Sequence, residues 1–441
     1  MSAPDETHDS RLGSWVASAR GTGTDFPLQN LPFGVFRRPG SDTPRIGVAI
    51  GAEILDLPRT AAVGALGPLP ARLHEAVVAA TLNPLMALGR PAVRALRGVV
   101  HALLREDSAL SRPPEECLVP MDAAELLLPA AIGDYTDFYA SIHHATNVGS
   151  MFRPDQPLMP NYKWVPVGYH GRASSVVPSG TPIRRPHGQV MEEGAPAPEL
   201  RPTMALDYEC EVGAWVGTGN RLGEPVPLGE AEERLFGFSL LNDWSARDVQ
   251  RWEYQPLGPF LAKSFATTVS PWVVTLDALV PFRMPRAPRP SGDPAPLPYL
   301  EDAGDRALGG LGLELEVHLE SERMRSEGIP PVRVSRACFA AMYWTTAQLL
   351  AHHASNGCNL RPGDLLGSGT VSGPAKENRG CLLELTWRGT EPLALPGGET
   401  RRFLEDGDEV VLRGRCAREG FATIGFGECR GRILPAAEPR R

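Results

Sequence analysis

Three stretches of this chain hold residue types that could do chemistry together. The first runs from Gly133 to Arg153 and carries Asp134, Tyr135, Asp137, Tyr139, His143, His144 and Arg153. A carboxylate that holds a cation and a histidine that takes a proton are the parts of hydrolysis at neutral pH. Neither a helical nor a strand period runs cleanly through the stretch, so its polar groups do not form one solvated face. A polar surface loop is the competing reading. The second stretch, Asn242–Phe265, holds Asp243, Arg247, Gln250, Tyr254 and Lys263. Arg247, Gln250 and Tyr254 are spaced three and four apart and share one face of a helical turn. Trp244, Trp252, Phe260 and Phe265 are expected to wall those donors from water, the setting in which donors stabilise developing negative charge. Taken singly, each donor reads equally well as part of a surface ion pair.

The third stretch alternates. Met204, Leu206, Tyr208, Cys210, Val212, Ala214 and Val216 share one face of a predicted strand, and Asp207, Glu209 and Glu211 share the other. Residues two apart on a strand lie about 7 Å apart on one face, so Glu209 and Glu211 can reach one cation. The same alternation recurs in Leu313–Glu320. There it reads as the wet side of a half-buried antiparallel sheet, so alternation alone does not define a metal site.

The elements that must position these residues are mainly strands. Residues 1–24 are polar and predict a flexible tail, followed by a small domain over 25–125 and a larger one over 126–441. Arg45–Leu57 predicts two short strands around a turn at Gly51. Pro91 opens a predicted helix with Val93, Leu96, Val100, Leu103 and Leu104 on one face. Gly and Pro punctuate Gly168–Ile183 as short strands joined by tight turns, and Pro281–Pro298 reads as a long surface connection. Ser335–His353 predicts a helix, with Ser335 as N-cap, a stripe through Phe339, Met342, Tyr343, Thr346, Leu349 and Leu350, and Gly357 as the stop. His352 and His353 at its end read as packing or dipole-compensating groups. From Asp364 onward strands and turns return, and there is no internal repeat.

Composition narrows the function classes. The 441 residues are 42% hydrophobic and 22% charged, an ordinary globular balance. A formal charge of −8 argues against nucleic-acid or anionic-membrane partners. It leaves a small anionic substrate open. The seven cysteines form no Cys-x-x-Cys pair, which argues against a disulfide framework or zinc site and fits a reducing cytoplasm. No apolar run approaches a membrane span, and the first residues lack a signal pattern. There is no Gly-x-Ser-x-Gly and no phosphate-binding loop; Gly217-Thr-Gly alone is too little.

Gly133–Gly149, Pro166–Arg172, Asn242–Phe265, Asn356–Leu366, Gly369-Thr-Val-Ser-Gly and Asp406-Gly-Asp-Glu resemble the fumarylacetoacetate hydrolase family. The likeness runs from about Asp25 to Pro435 and departs at the N-terminal segment, at Pro281–Pro298 and at Glu320–Val334. It implies a mainly β (α+β) homodimer with a small SH3-like N-terminal β-barrel domain and a larger C-terminal β-roll domain. It implies hydrolysis of 4-fumarylacetoacetate to fumarate and acetoacetate, the last step of tyrosine and phenylalanine breakdown. By motif position, Asp137, Glu209, Glu211 and Asp243 match Ca²⁺/Mg²⁺ ligands, with Lys263 and Thr267 added for Mg²⁺. His144 matches the general base and Glu384 the acid that orients it. Arg247, Gln250 and Lys263 match the oxyanion pocket, and Tyr139, Arg153, Tyr169, Arg247, Gln250, Tyr254 and Thr370 match substrate contacts.

That assignment is chemically coherent. Breaking a carbon–carbon bond beside a ketone needs a hydroxide, a stabilised alkoxide and a stabilised enolate. His144 would draw the proton from water, and Glu384 would fix its tautomer as in a Ser-His-Asp triad with water in place of serine. An all-oxygen shell suits Ca²⁺, whereas Mg²⁺ would keep more waters. The alternatives are a related acylpyruvate hydrolase, a decarboxylase or isomerase of unsaturated diacids, or a non-catalytic metal-stabilised scaffold.

Overall fold

The computed structural model describes residues 3–67 and 69–438. The N-terminal part is built on a five-stranded antiparallel sheet in the order Leu118–Pro120, Glu53–Asp56, Arg45–Ile50, Phe33–Arg37, Glu125–Leu126. Gly51, at φ 59°, makes the tight turn between the second and third strands in sequence. A side chain there would also strike the backbone of Ser18 and Ala19. The helix Arg90–Leu104 has proline in its first turn and buries Val93, Leu96, Val100, Leu103 and Leu104, as its period predicts.

The segment 3–24 corrects the expectation of a flexible tail, whose first two residues lie outside the described range. Ser14 Oγ donates to the Leu104 carbonyl at 2.8 Å and Trp15 Nε1 to the Leu103 carbonyl at 3.0 Å. These are carbonyls that the end of the Arg90–Leu104 helix leaves open. Arg97 donates to Thr7 Oγ1 at 3.2 Å and also to the Gln29 and Asn30 carbonyls. His8 Nε2 lies 2.7 Å from the Asp277 carbonyl oxygen. Thr7, His8, Ser14 and Trp15 tie the segment to the rest of the chain, while Glu6, Ser10, Arg11 and Arg20 stay exposed.

The larger part is organised by a mixed sheet. Its order is Gly168–Gly171, Tyr135–Phe138, Leu365–Gly367, Cys210–Val216, Leu235–Asp243, Thr267–Val269, Val176–Pro178, with Val274–Thr275 also paired to Leu235–Asp243. The alternation around Glu209 separates two environments. Leu206, Tyr208, Cys210, Val212, Ala214 and Val216 pack into the main C-terminal core. On the opposite face, Trp215 joins Tyr135, Leu241 and Leu365 in the core shared with the N-terminal part. Farther along that second face the side chains become acidic, at Asp137, Glu209, Glu211 and Asp243. Two details differ from the sequence reading: Met204 is exposed, and the strand breaks between Leu206–Asp207 and Cys210–Val216.

A second, five-stranded sheet runs Val332–Cys338, Leu313–Glu320, Glu409–Cys416, Ile424–Leu434, Ile183–Arg184. On Leu313–Glu320 the apolar residues are buried, and the outward Glu314 and Glu316 pair with Arg336, Arg415 and Arg333 on neighbouring strands. They are not gathered on a cation. The predicted helix Ser335–His353 is wrong over its first half. Val332–Cys338 is an edge strand there, Ser335 Oγ donates to the Arg379 carbonyl, and the helix covers only Thr346–His353, capped by Thr345. Phe339, Met342 and Tyr343 are buried without being helical in the expected register. His352 and His353 bond Tyr299 and Thr136, as packing groups do.

Candidate active site

Asp137, Glu209, Glu211 and Asp243 are all buried, and one carboxylate oxygen from each lies within 4.8 Å of the others. Sheet register brings them there. Leu365–Gly367 lies between the strands of Asp137 and Glu211, and its Gly367 pairs with Asp137 on one side and Gly213 on the other. The two acids therefore meet over a residue with no side chain. A Cβ on Gly367 would sit 2.5 Å from Asp137 Oδ1 and 3.2 Å from both Glu211 Oε2 and the Tyr135 hydroxyl. Two residues on, Gly369 N–H donates to Glu211 Oε2 at 3.0 Å and to Asp137 Oδ1 at 3.3 Å.

The charges in this cluster are unevenly held. Burial and then Asp243 raise Asp137 well above the ordinary carboxylate range, and burial and then Asp137 do the same to Glu211. Burial also pushes Glu209 upward, but Lys263 and Arg247 outweigh it and hold Glu209 well below its usual value. Lys263 Nζ donates to Glu209 at 2.6 Å and to Asp243 at 2.8 Å. Tyr169 and Thr267 hydroxyls donate to the two oxygens of Asp243 at 2.8 and 2.9 Å. Glu211 Oε1 and the Tyr135 hydroxyl are buried with no hydrogen-bond partner. Four carboxylates with no nitrogen or sulfur among them fit a hard divalent cation. A charged ammonium has no lone pair to offer, so Lys263 would serve such a cation through Glu209 and Asp243.

His144 sits in the first turn of the helix Ile142–Phe152, whose N-cap Ser141 accepts from the His144 N–H. Its Nδ1 lies 2.6 Å from Glu384 Oε2, which turns Nε2 to the opposite side. Burial raises the Glu384 carboxyl, but His144, Asn147 and Ser372 outweigh it and bring the value down to about 2. Glu384 is thus an acceptor that stays ionised, and the Nδ1–H tautomer follows. Tyr139 stands edge-on to the His144 ring at 5.1 Å between centroids.

Arg247 links the two halves of the site. Its Nε donates to Asp207 at 2.9 Å, and its Nη1 lies 2.7 Å from Glu209 and 3.1 Å from Gln250. Its Nη2 is buried without a partner, as is Thr370 Oγ1. Asp207 also accepts the Leu382 and Leu383 N–H groups at 2.8 and 3.0 Å, which fixes the short helix Leu382–Leu385 that carries Glu384.

Not every expected residue joins this network. Arg153 caps the His144 helix and donates to the Pro157 carbonyl at 3.3 Å. Tyr254 caps the helix Arg247–Glu253. Asp134 is exposed and pairs with Arg361, and His143 is half-buried beside the dyad without a bond to it. The aromatic wall is not formed: Trp244 is a core residue donating to Thr268, whereas Trp252 and Phe260 are exposed. Sequence reading assigned no role to Asn147, Ser372, Tyr135 or Gly369, although Tyr135 lies in the first stretch and Gly369 and Ser372 lie in the Gly369-Thr-Val-Ser-Gly motif. Asn147 also left a spacing signal, three residues after His144 and so on its helical face.

A cluster of four carboxylates on one sheet face, next to a carboxylate-oriented histidine and a spare arginine donor, makes a site able to activate water against an electron-poor carbonyl. Comparison with known proteins narrows this further. Residues 29–129 match the family model described as fumarylacetoacetase N-terminal, and residues 134–434 match the one described as fumarylacetoacetate (FAA) hydrolase C-terminal. The chain is 51% identical over 421 residues to the fumarylacetoacetase of Homo sapiens, covering 94% of this chain and 98% of that one. It is 49% identical to that of Oryza sativa subsp. japonica, covering 97% and 98%. Among solved structures it is similar to a putative HpcE protein from Mycobacterium smegmatis at TM-score 0.51 and 20% identity, covering 91% of this chain and 99% of that one. That last likeness concerns the fold alone. The chain belongs to the fumarylacetoacetase family.

Proposed function

We propose that this protein hydrolyses 4-fumarylacetoacetate to fumarate and acetoacetate, the terminal step of tyrosine and phenylalanine breakdown. The observation that carries the reading is the conjunction of the His144–Glu384 dyad with the unpartnered Arg247 Nη2 and the four-acid cluster. A scaffold needs the cluster but neither the base nor the donor. Asp137, Glu209, Glu211 and Asp243 would hold Ca²⁺ or Mg²⁺, which supplies Lewis acidity toward the diketone oxygens. Lys263 and Thr267 act on that ion by orienting Glu209 and Asp243.

His144 Nε2 takes a proton from water, and the hydroxide adds to the carbonyl carbon of the fumaroyl group. Arg247, Gln250 and Lys263 stabilise the alkoxide that forms. Its collapse breaks the carbon–carbon bond, and the electron pair leaves on the acetoacetate enolate, which recovers the proton from His144. Tyr139, Arg153, Tyr169, Tyr254 and Thr370 complete the substrate contacts.

Purified protein is expected to consume fumarylacetoacetate, followed as falling ultraviolet absorbance. His144→Ala should lower the rate by about 10²–10⁴ while the protein still folds, as read from its circular dichroism. Full activity in that variant would remove His144 as the base. Faster turnover of an acylpyruvate or an unsaturated diacid would instead favour a sibling reaction.

The same reading carries a cytoplasmic homodimer. All seven cysteines are free thiols, and no helix among the described residues is long and apolar enough to cross a membrane. Leu257, Phe260 and Leu261 form an exposed apolar run of the kind a second copy covers.

A further inference from the structure

Glu384 accepts more hydrogen bonds than orienting one imidazole requires. Its Oε2 accepts from His144 Nδ1 at 2.6 Å, from Ser372 Oγ at 2.8 Å and from Cys381 Sγ at 3.2 Å. Ser372 Oγ in turn accepts the Gly380 N–H at 3.0 Å, which directs its hydrogen toward Glu384. Burial, reinforced by Glu384, holds the Cys381 thiol well above its usual range, so its S–H is kept. The other oxygen, Oε1, is served by Asn147 Nδ2 at 2.8 Å. An ionised carboxylate only accepts, so the amide must present its NH₂ side there.

The distribution matters because the two oxygens of a carboxylate are chemically equivalent, and rotation about the last side-chain bond is soft. Three donors crowd Oε2, and Asn147 distinguishes Oε1 from it. Asn147 follows His144 by three residues on the helix Ile142–Phe152, so one turn presents both side chains to one carboxylate. We propose that Asn147 is a positioning residue for the hydrolysis: by occupying Oε1 it reserves Oε2 for His144 and fixes the plane in which Nε2 meets water. This rests on the proposed roles of His144 and Glu384. Misorientation of a base by a fraction of an ångström is costly because the reacting atoms must already be aligned.

The test compares Asn147→Ala and the near-isosteric Asn147→Asp with wild type, each also in a Glu384→Gln background. Loss of this outer partner is expected to lower kcat about 10–100-fold, with KM within about threefold because Asn147 acts through Glu384 and not on substrate. Asn147→Asp preserves shape and removes the donor, so it should fall at least as far as Asn147→Ala. In Glu384→Gln the Asn147 substitutions should cost almost nothing more, as for two residues acting as one unit. Unchanged kcat in both single variants overturns the proposal, as does a full additional loss in the Glu384→Gln background or a loss confined to KM. If either variant melts early, Asn147→Leu, similar in shape and without a donor, replaces it in the same comparison. His144→Ala run alongside separates the two levels: activity surviving there refutes the base itself, whereas its loss with Asn147 variants fully active refutes only the role of Asn147.

Discussion

His144 and Glu384 are separated by 240 residues yet meet at 2.6 Å. No spacing rule connects them; only the family likeness of the Leu-Leu-Glu-Leu segment pointed to Glu384. The acids were different, because period placed Glu209 and Glu211 on one strand face, although the same alternation in Leu313–Glu320 kept period alone from marking a metal site. Which way the aromatics point could not, since a tryptophan satisfies a core or a site wall equally well, and Trp244 went to the core. The dyad makes a pH prediction at this scale. Glu384 falls from 4.5 to about 2 on folding. A lowered carboxylate contributes stability above its unfolded value and loses it as pH falls through the folded one. The contribution, about 3 kcal/mol at neutral pH, should fade between pH 4.5 and 2. Urea denaturation of wild type and Glu384→Gln should differ most at neutral pH and converge as pH drops toward 2; a gap independent of pH would contradict the assigned ionisation.

Elements explain why the acids can meet. The strand Leu365–Gly367 separates Asp137 from Glu211 and contributes a glycine where a side chain would strike Asp137 and crowd Glu211. Just beyond it, one loop bonds the acids through Gly369 N–H and Glu384 through Ser372. The Gly369-Thr-Val-Ser-Gly motif thus ties the two halves of the chemistry together. Gly367→Ala should leave the strand intact, since its pairing needs no special backbone angle. Calcium should raise the melting temperature of wild type and leave this variant unmoved; an equal rise in both would show that the acids do not act over Gly367. Where local patterns failed, tertiary pairing prevailed. Ser335 carried a plausible cap signal, but Val332–Cys338 found a partner in Leu313–Glu320, and edge-strand pairing overrode helical period.

For the whole molecule, the two-part, mainly β architecture was legible from turn spacing and family likeness. The anchoring of residues 3–24 was not, because polar composition does not reveal acceptors at a distant helix end. The apolar run at Leu257, Phe260 and Leu261 gives the proposed homodimer a measurable form. Sedimentation equilibrium should return twice the 47.6 kDa chain mass, and Phe260→Lys with Leu257→Lys should shift it toward one chain. Wild type sedimenting as one chain would contradict the assembly. The central claim, that this site drives water into a carbon–carbon bond, is tested most directly by turnover in ¹⁸O-labelled water. Mass spectrometry should find the label in the carboxylate of the newly released fumarate, formed alongside acetoacetate; products without incorporated label, or no cleavage of fumarylacetoacetate at all, would contradict it.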